Sequence, residues 1–294
     1  MFGTALRLGI CSAVAFLGSQ PNWAGTLTPP CAGCVWSSDL PETPFRAVLS
    51  RRSLSVSSGA RYGEFTFAGP KLATMLPLPS GVGEVAFDAS EGAYYAMGLH
   101  GMNTLDLAAR KLTPLLLPSS LPEFSWTMGI AFDQTRNRLV VATLGGTGYL
   151  YSYAPASDTW SILADLQGRD PTAIAFHPQT DRLYAITADG WSGQAFLEFT
   201  PDGSLVRSRP LDLSVIGSVQ FGDFIDRAIQ LVPVDEYLAL VVPDVEDVPR
   251  MFVIDPSTAE MRRVVPIPEP AAYAIALTGL IFAASTVRRR GYRT

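Results

Sequence analysis

Between residues 45 and 265 the apolar positions fall in short runs of β-branched and aromatic residues, separated by Pro, Asp, Gly and Asn. That is the pattern of strands joined by tight turns. The runs also repeat. Val85-Ala86-Phe87-Asp88 aligns with Ile130-Ala131-Phe132-Asp133 and with Ile174-Ala175-Phe176-His177, so that Phe87, Phe132 and Phe176 recur 45 and 44 residues apart. In each copy a turn follows, and then a second strand: Ala93 to Met97, Arg138 to Ala142 and Arg182 to Ile186. A weaker copy starts at Ile229-Gln230-Leu231, turns at Asp235-Glu236 and resumes at Leu238.

Each copy continues with a second hairpin. Tyr149 to Tyr153 returns through Thr159 to Leu163, Phe196 to Phe199 turns at Pro201-Asp202-Gly203 into Ser204 to Val206, and Met251 to Ile254 returns through Met261 to Val264. Four strands in about 45 residues make one blade of a β-propeller, whose sheets stack radially because one sheet alone leaves its faces uncovered. Tyr62 to Leu76 reads as the outer half of a further blade, with Val48 to Val56 supplying its inner strands. The expected fold is therefore all-β, a propeller of five four-stranded blades over residues 45–265, with four or six blades the alternative counts. The turn-bracketed Phe-Asp and Leu-Tyr strands resemble secreted propellers of the NHL, YVTN and kelch kind. No Trp-Asp signature of WD40 blades occurs, so the resemblance implies no particular activity.

Two apolar segments flank this body. At the N-terminus Arg7 precedes the run Leu8 to Leu17, and small residues surround Ala24, which is the order of a secretory signal peptide over residues 1–24. At the other end Pro268-Glu269-Pro270 leads into seventeen uncharged residues, Ala271 to Val287, and then Arg288-Arg289-Arg290 with Arg293 behind. At about 1.5 Å per residue such a stretch just crosses a hydrocarbon core of about 30 Å, and the basic end stays on the cytoplasmic side. The three elements closely resemble the PEP-CTERM sorting tail, here residues 266–294. The resemblance implies recognition and removal by the membrane protease exosortase. It further implies anchoring in the inner membrane before processing, then residence at the cell surface or outside a Gram-negative bacterium that makes exopolysaccharide. An ordinary C-terminal membrane anchor is the alternative.

The chain has 294 residues and a net charge of -5. Without residues 1–24 and 266–294 the body keeps 17 basic against 26 acidic side chains, which argues against a nucleic-acid partner. Residues 25–44, with Pro29, Pro30, Pro41 and Pro44, read as a linker carrying Cys31 and Cys34. No second Cys pair or nearby histidine completes a zinc site, so the pair reads as a structural disulfide, with a redox dithiol as the alternative.

Candidate chemistry is sparse. There are two histidines, His100 in a blade loop and His177 at the turn position held by Asp88 and Asp133 in sister blades. Both read as turn residues. No H-E-x-x-H, G-x-S-x-G, P-loop or EF-hand string occurs. Asp244-Val245-Glu246-Asp247 offers carboxylates to Ca2+ but reads better as an exposed acidic loop. Glu84 and Glu123 lie near inner-strand starts, and convergence of Glu84, Asp170 and Asp226 at the channel mouth would make a metal-dependent lactonase-like hydrolase arguable. Trp126, Tyr149 and Trp191 recur near blade loops, where they form a candidate ligand face for sugars beside their packing role. The expected function is non-catalytic: binding of extracellular polysaccharide or another surface protein, or structural work in the matrix.

Overall fold

The computed structural model describes residues 31, 33–49, 60–70, 75–80, 82–98, 101–122, 126–144, 148–169, 171–189, 193–212, 216, 229–242 and 250–265. The signal peptide and sorting tail expected at 1–24 and 266–294 lie outside them. The strand β1 (Cys34–Trp36) comes first. Five sheets follow: β2 (Phe45–Leu49), β3 (Arg61–Thr66), β4 (Gly69–Pro70) and β5 (Leu76–Pro77) in the first; β6 (Glu84–Asp88), β7 (Ala93–Gly98), β8 (Gly101–Asp106) and β9 (Lys111–Leu115) in the second; β10 (Trp126–Asp133), β11 (Arg138–Leu144), β12 (Tyr149–Ala154) and β13 (Thr159–Asp165) in the third. The fourth holds β14 (Pro171–His177), β15 (Arg182–Asp189), β16 (Gly193–Phe199) and β17 (Leu205–Pro210), and the fifth β18 (Gln230–Val234), β19 (Tyr237–Val242), β20 (Arg250–Asp255) and β21 (Glu260–Val265).

Sheets two to five are antiparallel meanders in chain order, and their first strands, together with β2, touch in a closed circle: β2, β6, β10, β14, β18 and back to β2. The molecule is a five-bladed β-propeller. In the second to fifth blades burial falls from the two inner strands to the outermost one. All seven residues of β14 are buried, whereas β17 at the rim is almost wholly exposed. This gradient explains why inner strands read as near-continuous apolar runs and outer ones carry Arg and Ser. The core is divided into five apolar clusters, one at each junction between adjacent blades.

Turn residues account for the hairpins. Asn137, Asp158, Asp181 and Asp235 all adopt left-handed backbone angles, which Asn and Asp tolerate better than most residues. Glycine is required where blades approach closely. Gly203, at φ +90° in the outer turn of the fourth blade, packs on the third, and a Cβ there would meet the Leu163 carbonyl oxygen at 2.7 Å and the Ala164 Cβ at 2.8 Å.

Two expectations need correction. The chain between 25 and 44 is not all linker, because β1 pairs in parallel with β21 as a fifth strand on the last sheet, Cys34 to Arg263 and Trp36 to Val265. Val35 and Leu40 join the apolar cluster between the fifth and first blades. The folded body therefore starts at Cys34 rather than at 45. The first blade is also built differently from its sisters. Its inner place is taken by Phe45–Leu49, which shares only Val48 and Leu49 with the stretch expected there, residues 50–56 lying outside the described residues, and β4 and β5 both pair with β3. The Thr43 hydroxyl donates to Asp235 Oδ2 (2.5 Å) past the end of β18, while the Val48 N–H donates to Gln230 Oε1 (2.6 Å) at its start. Hence β2 runs against β18, whereas β6, β10 and β14 run with one another.

Candidate functional site

The inner strands enclose a central cavity of about 460 Å3 walled mainly by apolar residues, among them Phe45, Ala86, Phe132, Phe176 and Val232. An inner strand has one unpaired edge, and its N–H and C=O groups need partners once buried. Side chains from neighbouring blades supply them. Gln230 accepts from the Val48 N–H and donates through Nε2 to the Val85 carbonyl (2.8 Å), tying the fifth blade to the first and second. Glu84, 2% exposed, accepts from the Ile130 N–H at 3.1 Å. Gln134 donates to the Phe87 carbonyl (2.6 Å) and accepts from the Ala89 N–H (3.1 Å).

At the turn end of the cavity the Arg46 guanidinium lies 4.7 Å from the centre of the Phe87 ring, donates to the Tyr94 hydroxyl (3.5 Å) and faces Glu64 across the first blade. Burial, first of all, pushes the neighbouring Tyr62 phenol far above its usual range. Positive charge and aromatic faces here line one end of the cavity.

The turns between first and second strands form a laced face. Asp88 Oδ1 accepts from the Ser90 N–H (2.8 Å) and hydroxyl (2.6 Å), and Asp133 accepts from Arg138 Nε at 3.1 Å. Arg136 then reaches the next turn, donating to both oxygens of Asp181 at 2.7 and 2.9 Å and holding that carboxyl below its usual range. His177 occupies the same buried position as Asp88 and Asp133, with Nδ1 accepting from the Thr180 N–H at 3.4 Å. Burial lowers the imidazole pKa, so the ring is neutral at pH 7.

Of the carboxylates considered for metal-dependent hydrolysis, Glu84 holds a backbone group of the next blade, and Asp170 and Asp226 lie outside the described residues, as do Glu123, Asp244 to Asp247 and His100. No group of three or more His, Cys, Asp or Glu able to hold a metal gathers among the described residues. Trp126 opens β10 opposite Leu144, and Tyr149 opens β12 in the same blade, at the end away from the laced turns. The Tyr149 ring is half-buried and meets Tyr151 edge-on at 5.8 Å. Trp191, Pro268, Glu269, Pro270 and Arg288 to Arg290 lie outside the described residues. Cys31 and Cys34 have Cα atoms 5.4 Å apart and are joined as a disulfide at the entry to β1, where the Arg263 N–H donates to the Gly33 carbonyl (3.1 Å). Sequence reasoning singled out neither Gln134 nor Gln230; their one signal is a polar residue standing at or beside an apolar inner strand.

Strand pairing, ring closure and cross-blade polar contacts define the class: a five-bladed β-propeller. No protein-family model and no curated protein matches the chain. Among solved structures it is similar to a chain of a nidogen/laminin complex (11% identity, 74% of this chain and 92% of that one, TM-score 0.49) and to TolB from Acinetobacter baumannii (12% identity, 74% and 52%, TM-score 0.44). It is also similar to hydrazine synthase from Kuenenia stuttgartiensis (14% identity, 62% and 49%, TM-score 0.41). The chain spans about half the length of the latter two. The blade count rests on this chain's own register and not on these likenesses.

Proposed function

We propose that this chain is an exported, exosortase-processed propeller with a non-catalytic binding or structural role at the cell surface or in the extracellular matrix, with extracellular polysaccharide or another surface protein as partner. The observation that carries the role is the use made of interior polar groups. Glu84 and Gln230, both buried, are each committed to backbone groups of a neighbouring blade, which is the work of a rigid scaffold presenting its outer surfaces. The order of Pro-Glu-Pro, apolar span and arginines supports the address.

The test is the intact mass of the exported form from strains with and without exosortase, followed by glycan-array binding of the full chain. Loss of the tail only where the protease is present is expected. An uncut tail in both strains overturns processing, and a cytosolic chain with both ends uncut overturns export as well.

A further inference from the structure

A groove of about 590 Å3 separates the fourth and fifth blades, and no role described above uses it. One wall presents Arg182, Glu198, Arg207 and Arg209 of the fourth blade, and the other presents Glu236 from a turn and Asp255 from the end of β20 in the fifth. Strand pairing builds the first wall. Tyr184, Glu198 and Arg207 stand directly opposite one another on β15, β16 and β17, and Arg209 follows two residues on, on the same face. Tyr184 stacks on Phe196 with ring centres 5.3 Å apart, which fixes the floor.

Charge on the two walls is segregated. The Glu198 carboxylate, 14% exposed, is approached by Arg182 Nε at 3.5 Å and Arg207 Nε at 3.6 Å, so one acid balances two guanidinium groups. Arg209 adds a third positive charge and donates across the groove to the Ser257 carbonyl. Arg207 is engaged through Nε, lines the groove and keeps 51% of its side chain exposed. A guanidinium's planar fork suits a carboxylate. On the far wall Asp255 Oδ1 accepts from the Ser257 N–H (2.8 Å) and hydroxyl (2.6 Å), and Glu236 is exposed. Those carboxylates accept hydrogen bonds from hydroxyl donors.

A ligand matching both walls carries a carboxylate on one side and hydroxyl donors on the other. We propose that the groove binds acidic saccharide, a uronate-containing polysaccharide, with Arg182, Arg207 and Arg209 on the carboxylate and Glu236 and Asp255 on sugar hydroxyls. This rests on the polysaccharide-binding role proposed above and names its site. A neutral glucan leaves the guanidinium wall unanswered, and an acidic peptide of glutamates brings carboxylates but no hydroxyl donors for Glu236 and Asp255.

The test uses the full chain, immobilised, with polygalacturonate, dextran and poly-glutamate as probes. Polygalacturonate is expected to bind and dextran not to bind. The variants Arg207→Gln and Arg207→Gln/Arg209→Gln should weaken polygalacturonate binding by about tenfold or more, through loss of charge-assisted hydrogen bonds. Lys111→Gln on the second blade should leave it unchanged. A thermal midpoint within about 2 °C of wild type confirms that the variants are folded; Arg207, half-exposed, is the safer of the two to replace. Undiminished binding by the variants overturns the groove and leaves the polysaccharide-binding role standing. A wild-type chain that binds neither polygalacturonate nor any glycan on an array overturns both. Equal binding of poly-glutamate, lost in the same variants, overturns the saccharide assignment in favour of an acidic peptide.

Discussion

Replacing Gln230 by Leu tests whether cross-blade polar contacts hold the ring closed. The side chain is 5% exposed and makes two bonds to backbone groups of two other blades, at 2.6 and 2.8 Å. Leucine keeps most of the volume and removes both bonds. A buried backbone group deprived of its partner costs about 1–3 kcal/mol, so the two together cost about 2–6 kcal/mol, against about 5–15 kcal/mol of stability for a whole domain. For a chain of this size that corresponds to a fall of about 5–15 °C in the thermal midpoint. The assay is thermal and urea unfolding of the full chain, followed by far-UV circular dichroism and tryptophan fluorescence. Gln134→Leu is the control. Gln134 makes the same kind of paired contact, to Phe87 and Ala89, at an exposed site where water replaces it, so the loss should stay below about 1 kcal/mol. A Gln230→Leu variant within about 0.5 kcal/mol of wild type, or no worse than Gln134→Leu, refutes the reasoning and means that channel water satisfies both groups.

Two further outcomes follow from the packing. Burial holds the His177 pKa below the ordinary 6.5, so the unfolded chain binds more protons between the two values; the stability this group contributes is complete above about pH 6.5 and is lost as pH falls through the folded pKa. The midpoint of wild type should therefore drop more between pH 7 and 5 than that of His177→Gln, and parallel pH profiles would count against it. Gly203→Val should cost about 1–3 kcal/mol in urea unfolding, because the backbone is left-handed there and the added carbon meets Leu163 and Ala164 of the adjacent blade; a loss under about 0.5 kcal/mol would contradict that contact.

Much of the architecture was legible along the chain because hairpins are local. The runs Ile130 to Phe132 and Arg138 to Ala142 are separated by a few turn residues, and the structure pairs them as read, Ile130 with Val141 and Phe132 with Leu139. The same holds for Phe196 to Phe199, returned through Gly203 to Leu205. The first blade misled because its inner strand runs against its neighbours, and a strand's apolar pattern is the same read in either direction. The candidate site was less legible still. Arg182, Arg207 and Arg209 lie on two strands of one blade, while Glu236 lies in a turn and Asp255 at a strand end of the next, and no spacing in the chain announces that they share a groove.

By itself, then, the amino-acid order determined the strands, their turns, the repeat near 45 residues and hence the all-β propeller class, since each depends on alternation and turn chemistry within a few residues. Tertiary structure alone decided that Cys34–Trp36 seals the last sheet by pairing with Arg263 to Val265, that β2 is reversed, and that Gln230 joins three blades. A three-residue strand is too short to show a period, and a side chain that reaches a backbone group 145 or 182 residues away is placed by ring closure, which no local window contains.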